Sequence, residues 1–84
     1  MVTVYGFNGC PYCKELKELL TKEGIQFIDV DVDLPENQEE FQKIMEISKA
    51  DEVPIVRVGT QLLVPNVSFQ SIKEAAELTK KFLV

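Results

Sequence analysis

Two cysteines, Cys10 and Cys13, stand two residues apart in Cys10-Pro11-Tyr12-Cys13, and the chain of 84 residues has no other. Thiols at this spacing suit thiol–disulfide exchange, in which one thiolate attacks a disulfide and the other resolves the mixed intermediate. Proline is favoured at the first position of a helix, because its missing N–H has no partner there anyway. Pro11 therefore opens a helix, Cys10 is its N-cap, and Cys13 lies in the first turn. Cα atoms three apart on a helix are roughly 5 Å from each other. A disulfide asks for about 4.4–6.8 Å, so this pair can close and open with little backbone movement.

The same placement separates the roles of the two sulfurs. At the N-cap, Cys10 faces unpaired helix N–H groups and the positive end of the helix dipole, which favour the nucleophilic thiolate. Cys13 points back into the helix. The expectation is Cys10 as nucleophile and Cys13 as resolving thiol. Lys14 and Lys17 either add positive potential or are solvated helix residues. A structural zinc site wants four ligands, usually Cys or His, and this chain has no histidine and no third cysteine. No metal-ligating residue is expected, and a purely structural disulfide would close only a very small loop.

The elements around the pair must present it. Before it, residues 2–6 read as a short apolar strand, central and covered on both faces. Gly6, Phe7, Asn8 and Gly9 form the turn, with Gly9 letting the backbone pass close to the Cys10 sulfur. Behind it a helix spans about residues 11–23, with Leu16, Leu19 and Leu20 on one face with Cys13, a Glu18/Lys22 pair at favourable spacing, and Gly24 as its stop. A second strand covers about residues 26–32, where Ile28, Val30 and Val32 alternate with Asp29, Asp31 and Asp33, giving one buried and one wet face. Strand, helix and strand in this order make a parallel βαβ unit.

Pro35 opens a second helix over about residues 36–48. Its first turn is acidic, which suits the dipole. Its apolar stripe is Phe41, Ile44, Met45 and Ile47. After the polar loop 49–52, Val53-Pro54 leads into a strand at 55–58. Gly59-Thr60 suits a type II′ hairpin loop, and residues 61–64 return as a fourth strand broken by Pro65-Asn66. A last helix follows, with Phe69, Ile72, Ala76, Leu78 and Phe82 as buried candidates. Ser68 is one candidate N-cap, and Ser71-Ile72-Lys73-Glu74 fits a capping box.

Eighty-four residues make one domain, 1–84. A net charge of −5 argues against a nucleic-acid binder, which needs a basic face. No run approaches the roughly 20 apolar residues of a membrane span. The start has no basic region followed by a long apolar stretch, so no signal peptide is expected. A working dithiol in such a chain points to a reducing compartment, the cytoplasm.

The order β-α-β-α-β-β-α, with C-P-Y-C at the first strand–helix junction and Val53-Pro54 before the third strand, resembles the thioredoxin fold and, within it, the dithiol glutaredoxin family. The resemblance covers nearly the whole chain. It implies an α/β fold, a four-stranded mixed sheet flanked by three helices, in a monomer. It implies reduction of protein disulfides and glutathione mixed disulfides, with glutathione as reductant and no bound prosthetic group. Pro54 would be cis and packed beside Cys10, Val53 would offer its backbone to substrate, and Pro11 and Tyr12 would flank the groove. Tyr12 is otherwise an exposed helix residue.

The chain departs from the family at three glutathione contacts. Phe7 stands where a Lys or Arg often meets a glutathione carboxylate; it either contacts substrate or covers the junction. Glu52 stands where Thr is usual before Val-Pro. The stretch 64–68 replaces Gly-Gly and a following Asp, leaving Ser68 as a neutral hydrogen-bonding substitute. A lost charge-assisted bond costs about 1.5–3 kcal/mol, so weak glutathione affinity is expected. Two alternatives follow. One is a glutaredoxin-like hydrogen donor to ribonucleotide reductase, recharged by thioredoxin reductase. The other is a dimer carrying a bridged iron–sulfur cluster, although members doing so usually lack proline after the first cysteine.

Overall fold

The computed structural model describes residues 1–49 and 52–83. Strands β1 (Val2–Gly6), β2 (Ile28–Asp31), β3 (Ile55–Val58) and β4 (Gln61–Leu63) alternate with helices α1 (Pro11–Lys22), α2 (Pro35–Ser48) and α3 (Ile72–Leu83) in the expected β-α-β-α-β-β-α order. The sheet runs β2-β1-β3-β4 and is mixed, with β1 parallel to β2 and antiparallel to β3. This is the thioredoxin fold. Of the polar loop 49–52, Ala50 and Asp51 lie outside the described residues.

Central β1 is buried on both faces, as its apolar run predicts. Val2 and Val4 look toward α1 and α3, where they join Leu16, Leu20, Val56, Val58, Leu63, Phe69 and Ile72 in one cluster. Ala75 and Ala76 let α3 come close on this face. Tyr5 looks the other way, toward α2, into a smaller cluster with Val32, Ile44 and Ile55. Its hydroxyl donates to Glu40 Oε2 at 2.7 Å, tying α2 to the sheet. Gly59 has φ of +61° and Thr60 keeps a negative φ, which agrees with the type II′ turn.

Several boundaries and faces differ from expectation. β2 is shorter than 26–32 and lies at the sheet edge, and Ile28, expected in the core, is 48% exposed. It shares a face with Thr3 and Arg57, its neighbours along the rung, and α2 packs over the opposite end, around Tyr5 and Ile55. Ile47 is likewise exposed, since the α2 stripe that meets the sheet is Phe41 and Ile44. β4 ends at Leu63, although Val64 remains buried.

In α3 the capping box wins over Ser68. The Glu74 N–H donates to Ser71 Oγ at 3.2 Å, and Glu74 Oε1 accepts from the Gln70 N–H. Phe69 is therefore core but precedes the helix. Phe82, in its last turn, is exposed, and Thr79 takes an interior place that an apolar count overlooks, its hydroxyl donating to the Ala75 carbonyl at 2.8 Å. Glu18 and Lys22 do not pair. Charges on α1 and α3 reach across elements instead, Lys17 to Asp29 and Lys80 to Glu23.

Candidate active site

At the carboxyl end of β1 the chain turns through Phe7–Gly9 into α1, and Cys10 caps the helix. Its φ of −89° and ψ of 108° are extended, and its Sγ accepts the Cys13 N–H at 3.2 Å. A backbone donor thus sits where negative charge develops on this sulfur. Both cysteines are free thiols. Cys10 retains 6% exposure and opens into a cleft, whereas Cys13 is 0% exposed.

Burial pushes the Cys13 thiol up to about 12, and the hydrogen bond with Cys10 adds to the rise. The Phe7 backbone and the Lys17 charge pull the other way. Charge on a sulfur without water costs free energy that a thiol does not incur. In the reduced dithiol Cys13 therefore holds its proton.

The close backbone approach lies at Gly6 rather than Gly9. A Cβ at Gly6 would sit 2.7 Å from Cys13 Sγ, so only glycine lets β1 pass under the thiol. At Gly9 a Cβ would meet nothing within 4 Å; the demand there is a φ of +91°. A glycine within a strand is the signal that marks Gly6.

The cleft holds about 560 Å³. One wall is the first turn of α1, with Cys10, Pro11 and Tyr12. The second is Glu52, Val53 and Pro54, and the Val53–Pro54 peptide is cis. The third is Pro65, Asn66 and the run Phe69–Ile72 at the start of α3. Pro11, Tyr12, Val53 and Pro54 thus meet Cys10 around one space. Tyr12, 62% exposed, forms part of the rim. Phe7 packs against the cluster around Tyr5, covering the junction, and also lines the cleft. A smaller hollow adjoins the cleft at Cys10 and Pro11 and is bordered by Asn8, Lys14 and Lys17.

Ser68 does not reach the cleft. Backbone bonds from Ser68 N and Val67 N to the Val64 carbonyl, and from Asn66 N to the Phe69 carbonyl, fold 64–69 into a tight turn. That turn directs the Ser68 hydroxyl to the Leu62 carbonyl at 3.4 Å. Ser71 and Gln70 line the cleft instead. Glu52 and Asn66 also belong to the site. Asn66, at φ +63°, donates its side-chain N–H to Glu52 Oε2 at 2.8 Å. In the sequence both positions stand out only as departures from a pattern, since a bond across fourteen residues has no local signal.

Residues 2–63 match the family model for glutaredoxin. A glutaredoxin-like 8.6 kDa protein from the rubredoxin operon of Clostridium pasteurianum is 31% identical over 64 residues, covering 76% of this chain and 83% of that one. The glutaredoxin of Archaeoglobus fulgidus superposes with a TM-score of 0.71 at 27% identity, over 98% of this chain and 84% of its own. The glutaredoxin-like NrdH-redoxin of Escherichia coli, which has a thioredoxin-like activity profile, shares the fold, with a TM-score of 0.68 at 18% identity over 95% and 91% of the two chains.

Proposed function

The chain belongs to the glutaredoxin family and is a thiol–disulfide oxidoreductase, and on that premise we propose that Cys10 and Cys13 act as a dithiol reducing protein disulfides and glutathione mixed disulfides. One observation carries the reading: Cys10 opens into the cleft with the Cys13 N–H on its sulfur, while the Cys13 thiol lies fully buried behind it.

Cys10 thiolate attacks one substrate sulfur. A new S–S bond forms, the substrate S–S bond breaks, and the leaving thiolate takes a proton. Cys13 then loses its proton and attacks Cys10 Sγ, which releases the second substrate thiol. The substrate gains two electrons and two protons, and the chain is left with a Cys10–Cys13 disulfide. Two molecules of glutathione, or a reductase drawing on NADPH, return the two electrons. Pro11, Tyr12, Val53 and Pro54 hold the substrate beside the sulfur. The reading places the chain in a reducing compartment, the cytoplasm, where a dithiol stays reduced.

Recharging by a thioredoxin-reductase-type flavoenzyme, with ribonucleotide reductase as acceptor, is a second reading. A specific observation favours it: among the described residues the cleft is lined by no cation to meet a glutathione carboxylate. Turnover of a glutathionylated peptide with glutathione and glutathione reductase, against thioredoxin reductase and NADPH, separates the two. Under either supply, Cys10→Ser should abolish turnover. Cys13→Ser should keep deglutathionylation and lose protein disulfide reduction. Activity retained in Cys10→Ser would overturn the assignment.

A further inference from the structure

The charge of the cleft carries information that the cysteines do not. Among its described lining residues, Glu52 is the one with a formal charge; the others are apolar, hydroxyl, thiol or amide groups. The carboxylate is not left to wander over solvent. Asn66 donates to its Oε2 at 2.8 Å, and Asn66 is itself fixed, its N–H bonded to the Phe69 carbonyl at 2.8 Å in a left-handed backbone conformation. The residue so placed immediately precedes Val53 and Pro54, which stand opposite Cys10. No lysine or arginine is among those lining residues: Lys14 and Lys17 border a smaller hollow that adjoins the cleft at Cys10 and Pro11, and Lys17 is already paired with Asp29 at 3.1 Å.

We propose that Glu52, held by Asn66, makes this cleft selective for disulfides flanked by a cationic side chain and unfavourable to anionic ones. Glu52 is a specificity-determining residue here, and the substrate class is a protein or peptide disulfide with Lys or Arg beside the cysteine. The inference rests on the dithiol reading above. The physical argument is short-range. An exposed charge pair is worth about threefold in rate, and a like-charge pair opposes by a similar factor. Attraction to a cation and repulsion of an anion together give about a tenfold spread in rate. The spread shrinks as salt screens the pair, the Debye length falling from about 30 Å at 0.01 M to about 3 Å at 1 M.

The test uses the reduced protein in single turnover, so that no recharging system enters. The probes are three peptide disulfides, each a dimer of Ac-Xaa-Cys-amide with Lys, Gln or Glu as Xaa. Each rate is divided by that of the same disulfide with dithiothreitol, which removes intrinsic reactivity. At 10 mM salt the expected order is Lys, Gln, Glu, spanning about tenfold. Glu52→Gln should collapse that span to within about twofold, and Glu52→Lys should invert it. Equal rates for the three probes with the wild-type protein, or an order that survives in both variants, would overturn the proposal while leaving the dithiol reading intact. No turnover of the Gln probe would overturn the dithiol reading and this inference with it.

Discussion

On the sheet face covered by α1 and α3, Val4, Leu16, Leu20, Val56 and Ala75 are each 0% exposed. On the face covered by α2, Tyr5 and Ile55 are as dry, at 1% and 0%, but Ile44 and Val32 keep 6% and 8%, Val30 and Phe41 are half-buried, and Ile28 is 48% exposed. Two helices close the first face, one helix covers part of the second, and β2 at the edge leaves its outer end uncovered. The redox pair draws on both kinds of surrounding. Cys13 is buried beneath α1 hard against Gly6, under the closed face. Cys10 stands where β1 leaves the sheet and the cleft begins. A dry thiol beside an accessible one is what an abrupt change in packing depth provides.

That contrast can be broken by truncating each face. Leu20→Ala should cost about 3–5 kcal/mol of unfolding free energy, because the well-packed surroundings cannot collapse into the cavity. Ile44→Ala, on the thinner face, should cost about 2 kcal/mol, near the low end of the range for such truncations. Denaturant unfolding of both variants measures the difference. Equal losses would mean the two faces are packed alike in solution. Gly6→Ala probes the tightest spot on the closed face. Its Cβ would lie 2.7 Å from Cys13 Sγ, and such overpacking costs about 1–3 kcal/mol. Its melting temperature should fall by several degrees, about 4–8 °C per kcal/mol in a domain of this size. An unchanged melting temperature would show that β1 and α1 can separate without penalty.

The smallest effect per step is in pH. Cys13 is raised from 9.0 to about 12, chiefly by burial. Burial, the largest cause, persists in the mixed disulfide although the Cys10 hydrogen bond and charge do not, so the Cys13 thiolate fraction, and with it the resolving step that releases substrate from Cys10, should rise about tenfold per pH unit between pH 7 and 9, equivalent to about 1.4 kcal/mol per unit. Quenched-flow release of a chromophoric thiol from the mixed disulfide follows this directly. A plateau below pH 8 would show that Cys13 is solvated in the intermediate. The stability of the reduced protein has a matching sign. Folded Cys13 binds its proton more tightly than the unfolded chain does, so its contribution is full below about pH 9.0 and is lost toward 12.

Local chemistry placed the half of the site around Cys10. Proline after Cys10 and leucines at helical spacing were enough to place a helix start under two thiols, because capping, proline's fixed φ and periodicity act within a few residues. The order of the elements, the central first strand and the hairpin at Gly59 were legible for the same reason. The other walls of the cleft were not. Ser68 looked like a cleft residue and Ser71 only a helix cap, until the turn at 64–69 directed one toward β4 and brought the other to the cleft. Ile28, Ile47 and Phe82 carry the right pattern for burial and lie outside it, since alternation fixes which side a residue faces but not whether anything covers that side. Gly6 under Cys13 and Asn66 on Glu52 join segments far apart along the chain. Sequence alone therefore determined which sulfur is presented and by what local means. The tertiary structure decided how dry its partner is and what charge stands across from it, because solvent exclusion and long-range contacts exist only once separate elements are packed together.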